Sequence, residues 1–131
     1  MQMVTFHSVV RCTYPTMVYK GMERYSEMYG ILEPEYNPKK MRNQQVVDVL
    51  GYPHMSWDKI VIGGEAGSHC VLESVKQIVM LFKSHPENLR RIYLLEDCIS
   101  PVPGFERQMA DAFTELQHQG INIVKSTDLV L

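Results

Sequence analysis

Two nearly continuous apolar runs dominate the pattern of hydrophobic and polar positions. They occupy residues 59–64 (KIVIGG) and 91–97 (RIYLLED). Strands of parallel sheets that helices cover on both faces have this continuous pattern, whereas strands with one wet face alternate. A third strand is predicted at residues 121–125 (INIVK), after Gly120, and a weaker run at residues 16–20 (TMVYK) predicts a fourth.

Two segments with helical periodicity lie between the three strongest of these runs. Apolar side chains recur at helical spacing in two segments, the first with Val71, Leu72, Val75, Ile78, Val79 and Phe82, the second with Phe105, Met109, Ala112, Phe113 and Leu116. A further helix is predicted at residues 38–50, with Asn37 as its cap and Pro38 in its first turn. The strand–helix–strand–helix–strand order over residues 59–125 predicts an α/β fold, a parallel sheet with helices on both faces.

Composition and charge exclude several classes of protein. The 131 residues favour a single domain, and 45% hydrophobic with 21% charged residues is ordinary for a soluble protein. A net charge of -2 excludes a strongly basic nucleic-acid surface. No apolar run approaches the roughly 18 residues that span a bilayer. Three cysteines, an odd number, and no signal-peptide pattern predict a reducing compartment, the cytoplasm.

The segment between the first strong strand and its helix carries the candidate chemistry. Residues 63–70 read GGEAGSHC, and functional groups collect where strands of open α/β sheets end. The positive end of the helix dipole favours the thiolate of Cys70. Glycines such as Gly64 let backbone N–H groups approach a ligand and receive a developing oxyanion. The alternative is a structural cysteine that packs as a small apolar residue, and the residues alone leave both open.

This strand–turn–helix segment, followed by a strand ending in YLLEDCISP, resembles the isochorismatase-like cysteine hydrolases, and their nicotinamidase-related branch in particular. The family motif Gly-x-Ala-x-x-x-Cys matches Gly64, Ala66 and Cys70. The resemblance implies a three-layer α/β/α fold, with Cys70 as nucleophile. It further implies a cis peptide between Glu65 and Ala66, and an oxyanion hole made by the N–H groups of Ala66 and Cys70.

The resemblance extends to the N-terminal third of the chain. The segment TMVYKGMERYSEM is similar to a Lys-Gly segment followed by a Tyr-Ser pair in the family. It implies that Lys20 is the active-site lysine, that Tyr25 and Ser26 are the downstream pair, and that Tyr25 lines the pocket. An ammonium beside a thiol stabilises the thiolate. Without the resemblance, Lys20 would be interpreted as a solvated charge.

Two residues beside Cys70 have their own expected roles. His69 is expected to line the pocket or to hydrogen-bond the backbone, because the other histidines are not grouped with it as metal ligands would be. Glu65 departs from the uncharged residue that the family has there. Since a carboxylate beside a thiolate is unfavourable, its side chain is expected to point away or to pair with a cation.

Several elements of the family are missing from the chain. Nothing matches the aspartate of the Asp-Lys-Cys triad or the metal-binding elements that follow it, so neither a metal site nor a cofactor is expected. Asp97 beside Glu96 has the form of an acid–base pair, but the resemblance makes this segment structural. The chain resembles the C-terminal half to two thirds of the family. Residues 1–131 are thus expected to form one partial domain without the N-terminal strands.

The missing strands predict a gap in the sheet. In the family order 3-2-1-4-5-6, the strand before Lys20 would be the third and the strand before Cys70 the fourth. Two absent strands would leave a gap of about 10–15 Å between them. We therefore expect a homo-oligomer, or a partner that supplies the missing strands.

Three functional hypotheses follow. The first is hydrolysis of an amide or related C–N bond in a small molecule through a thioester on Cys70, weak or absent in this chain alone. The second is a non-catalytic remnant or interaction module of the same fold. The third is a redox-sensing thiol, although a Cys70–Cys98 pair has no Cys-x-x-Cys spacing to support it. Cys12, near a predicted helix end, and Cys98 are otherwise core or partly exposed thiols.

Overall fold

The computed structural model describes residues 15–129, so the predicted surroundings of Cys12 lie outside it. No helix in this part of the chain is long and apolar enough to cross a membrane. In chain order, the elements are α1 (Gln44–Leu50), β1 (Ile60–Glu65), α2 (Cys70–Leu81), a 3₁₀ turn (Pro86–Arg91), β2 (Ile92–Ser100), α3 (Glu106–His118), β3 (Asn122–Val124) and a second 3₁₀ turn (Ser126–Asp128).

The three strands form one parallel sheet in the order β1-β2-β3. Ile60 of β1 lies opposite Ile92 of β2. The register then shifts between Ile62 and Gly64, so that Glu65 lies opposite Ser100. The prediction of a parallel α/β fold with strands at all three main runs is confirmed, and the two helices after β1 and β2 begin and end close to their predicted limits.

The core lies between one face of the sheet and the helices. Ile92 and Leu94 of β2 are fully buried there. So are Val75 of α2 and Phe82, the residue that follows α2. Because side chains alternate along a strand, Val61 projects from the opposite face, where it is 39% exposed. Since α2 and α3 border a common groove, they lie on the same side of the sheet. When each crossover is right-handed and the strands follow the order β1-β2-β3, both connecting helices must lie on the same face of the sheet. The predicted second helical layer is not among residues 15–129.

Helix α1 begins later than predicted. Its cap is Asn43, whose side chain accepts the N–H of the third helical residue, and not Asn37. The Asn37 side chain instead closes a separate turn by accepting the N–H of Met41 at 2.6 Å. Lys40 in that turn has a φ of 51°, which a helix interior does not allow. The predicted helix at residues 38–50 therefore breaks into an Asn-initiated turn and a short helix.

The strand predicted at residues 16–20 is wrong. The structure has no helix or strand between residues 15 and 43. This segment is instead held by α2, because the Gln77 amide oxygen accepts the N–H of Leu32 at 2.8 Å and its NH₂ donates to the Glu33 carbonyl at 2.9 Å. A β-rich run forms a strand only when another strand is beside it. No strand of the described chain pairs with this run.

Candidate active site

A tight turn carries the chain from β1 into α2. Gly64 has a φ of +134°, a conformation that favours glycine, and the Glu65–Ala66 peptide is cis, as the resemblance implies. The Gly67 N–H donates to the Ser100 carbonyl at 2.7 Å, which ties the turn to the end of β2. Cys70 is the first residue of α2, at the positive end of the helix dipole.

Several N–H groups of this turn have no acceptor among residues 15–129. They are those of Ala66, Ser68 and Cys70, whereas the His69 N–H donates to the Ala66 carbonyl at 3.0 Å. Unpaired N–H groups at a helix N-terminus are suited to a negative oxygen. The resemblance implies an oxyanion role for Ala66 and Cys70 in particular, and that role stays a prediction.

Cys70 lines a cavity of about 340 Å³. This volume is near the lower end of the range for small-molecule sites. Most of the lining is aliphatic and comes from the loop before α1 and from α1, β1 and α2, namely Ile31, Val46, Leu50, Ile60, Ile62, Val71 and Ile78. The thiol itself is partly exposed. A structural cysteine is typically buried, so the placement of Cys70 favours the reactive alternative.

Lys20 lines the same cavity as Cys70. Its ammonium donates a hydrogen bond to the Tyr29 carbonyl at 2.7 Å. The long loop over residues 15–43, and not a strand, brings it there. The predicted partner of the cysteine thus reaches the cavity by a different backbone path, because β1 has no strand on its outer edge in the described chain.

Glu65 is exposed and is one of the residues that line the Cys70 cavity. The expectation that its side chain points away from Cys70 or pairs with a cation stays a prediction. Within residues 15–129 no hydrogen bond or ion pair engages its side chain. It is the last residue of β1 and lies opposite Ser100 of β2, beyond the register shift in the sheet.

His69 and Tyr25 lie outside this cavity, in contrast to the predicted pocket. The His69 ring is hydrogen-bonded to the Ser68 hydroxyl at 2.8 Å, packs edge-on against Phe105, and lines a separate cavity of about 250 Å³. Successive side chains at the start of a helix diverge, so His69 and Cys70 face different ways. Tyr25 is 80% exposed beneath the Arg24 guanidinium. The structure brings together Lys20, Glu65 and Cys70.

Asp97 of β2 is tied to the second 3₁₀ turn of the chain. Its carboxylate accepts hydrogen bonds from the Ser126 hydroxyl at 2.6 Å and from the Ser126 N–H at 2.8 Å. These bonds, the side-chain one first, lower the pKa of Asp97 below its ordinary value of 3.8. Glu96 beside it is exposed. The contacts of Asp97 with Ser126 are of the kind that the structural interpretation expects.

The sequence pattern did not predict several of the residues that line the Cys70 cavity. Ile31 and the α1 residues Val46 and Leu50 meet Cys70 only through the fold, and no motif marks them. A larger groove of about 780 Å³ lies between α2 and α3, without a cysteine or histidine in its lining. No three His, Cys, Asp or Glu side chains in the described chain are grouped closely enough to hold a metal ion.

Comparison with known proteins places the fold. No family model and no curated protein matches the chain. Among solved structures, it is similar to yeast nicotinamidase Pnc1p, with a TM-score of 0.65, 18% identity, and coverage of 96% of this chain and 52% of that chain. Pnc1p bound to the inhibitor nicotinaldehyde is similar at the same TM-score and identity, over 94% of this chain and 50% of that one. The chain thus spans about half the length of these structures. Over that length it has an α/β fold like that of yeast nicotinamidase Pnc1p.

Proposed function

We propose that the chain carries a cysteine hydrolase site that cleaves an amide or related C–N bond of a small molecule. The observation that carries this proposal is the shared cavity of Cys70, at the N-terminus of α2, and the Lys20 ammonium. A thiolate is the nucleophilic form of cysteine, and both the helix dipole and a nearby cation favour it. The fold similarity to nicotinamidases supports the same class of reaction.

The reaction proceeds through a thioester. Cys70 Sγ attacks the carbonyl carbon, and the oxygen that becomes negative is received by the N–H groups of Ala66 and Cys70. The C–N bond then breaks, and the nitrogen leaves as ammonia or an amine after gaining a proton. Water cleaves the thioester, which releases the carboxylic acid and restores Cys70. Lys20 stabilises the negative charge that develops beside the sulfur.

The test is ammonia release from a panel of small amides that includes nicotinamide. In Cys70→Ala we expect the rate to fall by at least about 100-fold, since the covalent route is lost. Cys98→Ala is the matched control, because Cys98 is an exposed thiol outside the cavity. Mass spectrometry of the quenched wild-type reaction should detect the acyl group on Cys70. Ammonia release that survives Cys70→Ala would refute the proposal.

A second candidate is an interaction module without catalysis. The outer edge of β1 is unpaired in the described chain, and the chain spans half the length of its structural neighbours. An unpaired strand edge is a template for another strand. Absence of hydrolysis in the amide panel, together with an oligomer in which β1 amides resist hydrogen exchange, would favour this candidate over the hydrolase.

A further inference from the structure

Proton transfer in the Cys70 cavity needs an acceptor. Cys70 loses a proton when it attacks, and the departing nitrogen must gain one. Among the described residues, the titratable side chains that line the cavity are Lys20, Glu65 and Cys70. Lys20 as an ammonium is a hydrogen-bond donor only, and it already donates to the Tyr29 carbonyl. Glu65 is the one carboxylate in this lining.

We propose that the Glu65 carboxylate is the proton carrier of this site, an inference that rests on the proposed hydrolase function. It takes the proton from Cys70 Sγ to give the thiolate that attacks, and gives it to the nitrogen as the C–N bond breaks. It then takes a proton from water as the water oxygen attacks the thioester, and returns it to the sulfur as the C–S bond breaks. One water is consumed, and one acid and one amine are released.

The surroundings of Glu65 suit this role. Its carboxylate forms no hydrogen bond or ion pair elsewhere in residues 15–129, so it is not committed to a structural contact. The residues of α1, β1 and α2 that face the cavity beside it are uncharged, apart from the Cys70 thiol. Lys20, from the loop, is the one cationic residue among the described residues that line this cavity.

The decisive experiment separates acylation from deacylation with p-nitrophenyl acetate. Nitrophenolate leaves without a proton, and at about pH 9 much of an ordinary thiol is already ionised, so the first acylation needs no acceptor. In Glu65→Gln we expect a normal nitrophenolate burst, acetyl-Cys70 that accumulates in the mass spectrum, and turnover lowered by about 100-fold or more. Glu96→Gln, an exposed carboxylate outside the cavity, should turn over like the wild type.

The outcomes distinguish this inference from the proposed function. A normal burst followed by normal turnover in Glu65→Gln removes the proton-carrier role and leaves the hydrolase proposal intact. Loss of burst and turnover together, with an unchanged circular dichroism spectrum, makes Glu65 a positioning residue and also overturns the inference. A wild-type chain in which Cys70 is never acetylated removes the hydrolase proposal and this inference together.

Discussion

Lys20 is far along the chain from Glu65 and Cys70, yet all three residues line one cavity. The motifs single out Cys70 and Lys20 by their spacing from neighbouring glycines, and their catalytic roles stay predictions. No motif predicts that Glu65 lines the same cavity, because that depends on which segments meet beside β1 and not on spacing along the chain.

The charge of Lys20 is expected to matter for catalysis. Lys20→Met should lower kcat/KM for amide hydrolysis by about 100-fold, because one group that stabilises developing negative charge is removed. Lys76→Met is a suitable control, since Lys76 carries the same charge on α2 but lines other cavities. Steady-state ammonia release measures both variants. Equal kcat/KM in Lys20→Met and the wild type would show that Lys20 has no catalytic role.

Asp97 should make stability depend on pH. Its pKa is lowered in the folded state by the bonds from Ser126, so its stabilising contribution is present above the pKa of the unfolded chain and is lost as pH falls through the folded-state pKa. Asp97→Asn is expected to lower the free energy of unfolding in urea at neutral pH, by an amount that shrinks in acid.

Ser126→Ala provides the partner variant for a double-mutant cycle. Because Asp97 and Ser126 share two hydrogen bonds, the double variant should lose less than the sum of the single losses. Additive losses, or a loss in Asp97→Asn that does not change with pH, would contradict the assigned hydrogen bonds.

At the scale of elements, the strong periodic segments were predictable and the weak ones were not. Helices α2 and α3 and the three strands carry long apolar patterns, and most of the predicted apolar positions of the helices are buried or partly buried. Phe105 is the exception, because it lies before α3 and is 39% exposed. The strand at residues 16–20 and the start of α1 were mispredicted. In both places the local preference for a strand or a helix is overridden by contacts with residues outside the segment or by a competing turn. Gln77 of α2 holds the loop at Leu32 and Glu33, a contact across more than forty residues of sequence.

The turn before α2 should be sensitive to added volume at Gly67. A methyl group there would overlap Ile99 of β2 and Met109 of α3. Gly67→Ala is expected to destabilise the protein by about 1–3 kcal/mol, the usual cost of overpacking, and to displace the turn that carries Cys70. Gly63→Ala is the control, since its added methyl would lie at an ordinary 3.4 Å from the Cys98 side chain.

Urea unfolding and the rate of Cys70 alkylation by iodoacetamide would measure both glycine variants. We expect Gly67→Ala to lower the unfolding midpoint and change the alkylation rate, with much smaller effects for Gly63→Ala. Equal stability of the two variants would mean that the turn is not packed against β2 and α3 as described.

For the whole molecule, the uncovered face of the sheet predicts association. Val61 lies on the side of the sheet opposite α2 and α3, and β1 has no strand on its outer edge within residues 15–129. Exposed apolar surface and unpaired strand edges favour self-association. We expect sedimentation velocity to detect oligomers whose fraction rises with concentration.

A surface charge should reduce this association. Val61→Glu is expected to shift the distribution toward monomer, because it places a carboxylate on the apolar face. Met80→Glu is the control, as Met80 is 64% exposed on the helical side of the molecule. A wild-type chain that sediments as a single stable monomer at all concentrations would contradict the prediction.

The local sequence pattern was sufficient to predict the α/β class, the parallel strands, helices α2 and α3, and the position of Cys70 at the start of a helix. These features depend on neighbouring residues, since periodicity and turn chemistry act over a few positions of the chain. The cavity, the place of Glu65 in its lining, the positions of His69 and Tyr25 outside it, and the one-sided helical layer arose only on folding. They depend on which distant segments meet beside β1, and contacts between residues far apart in sequence leave no local signal.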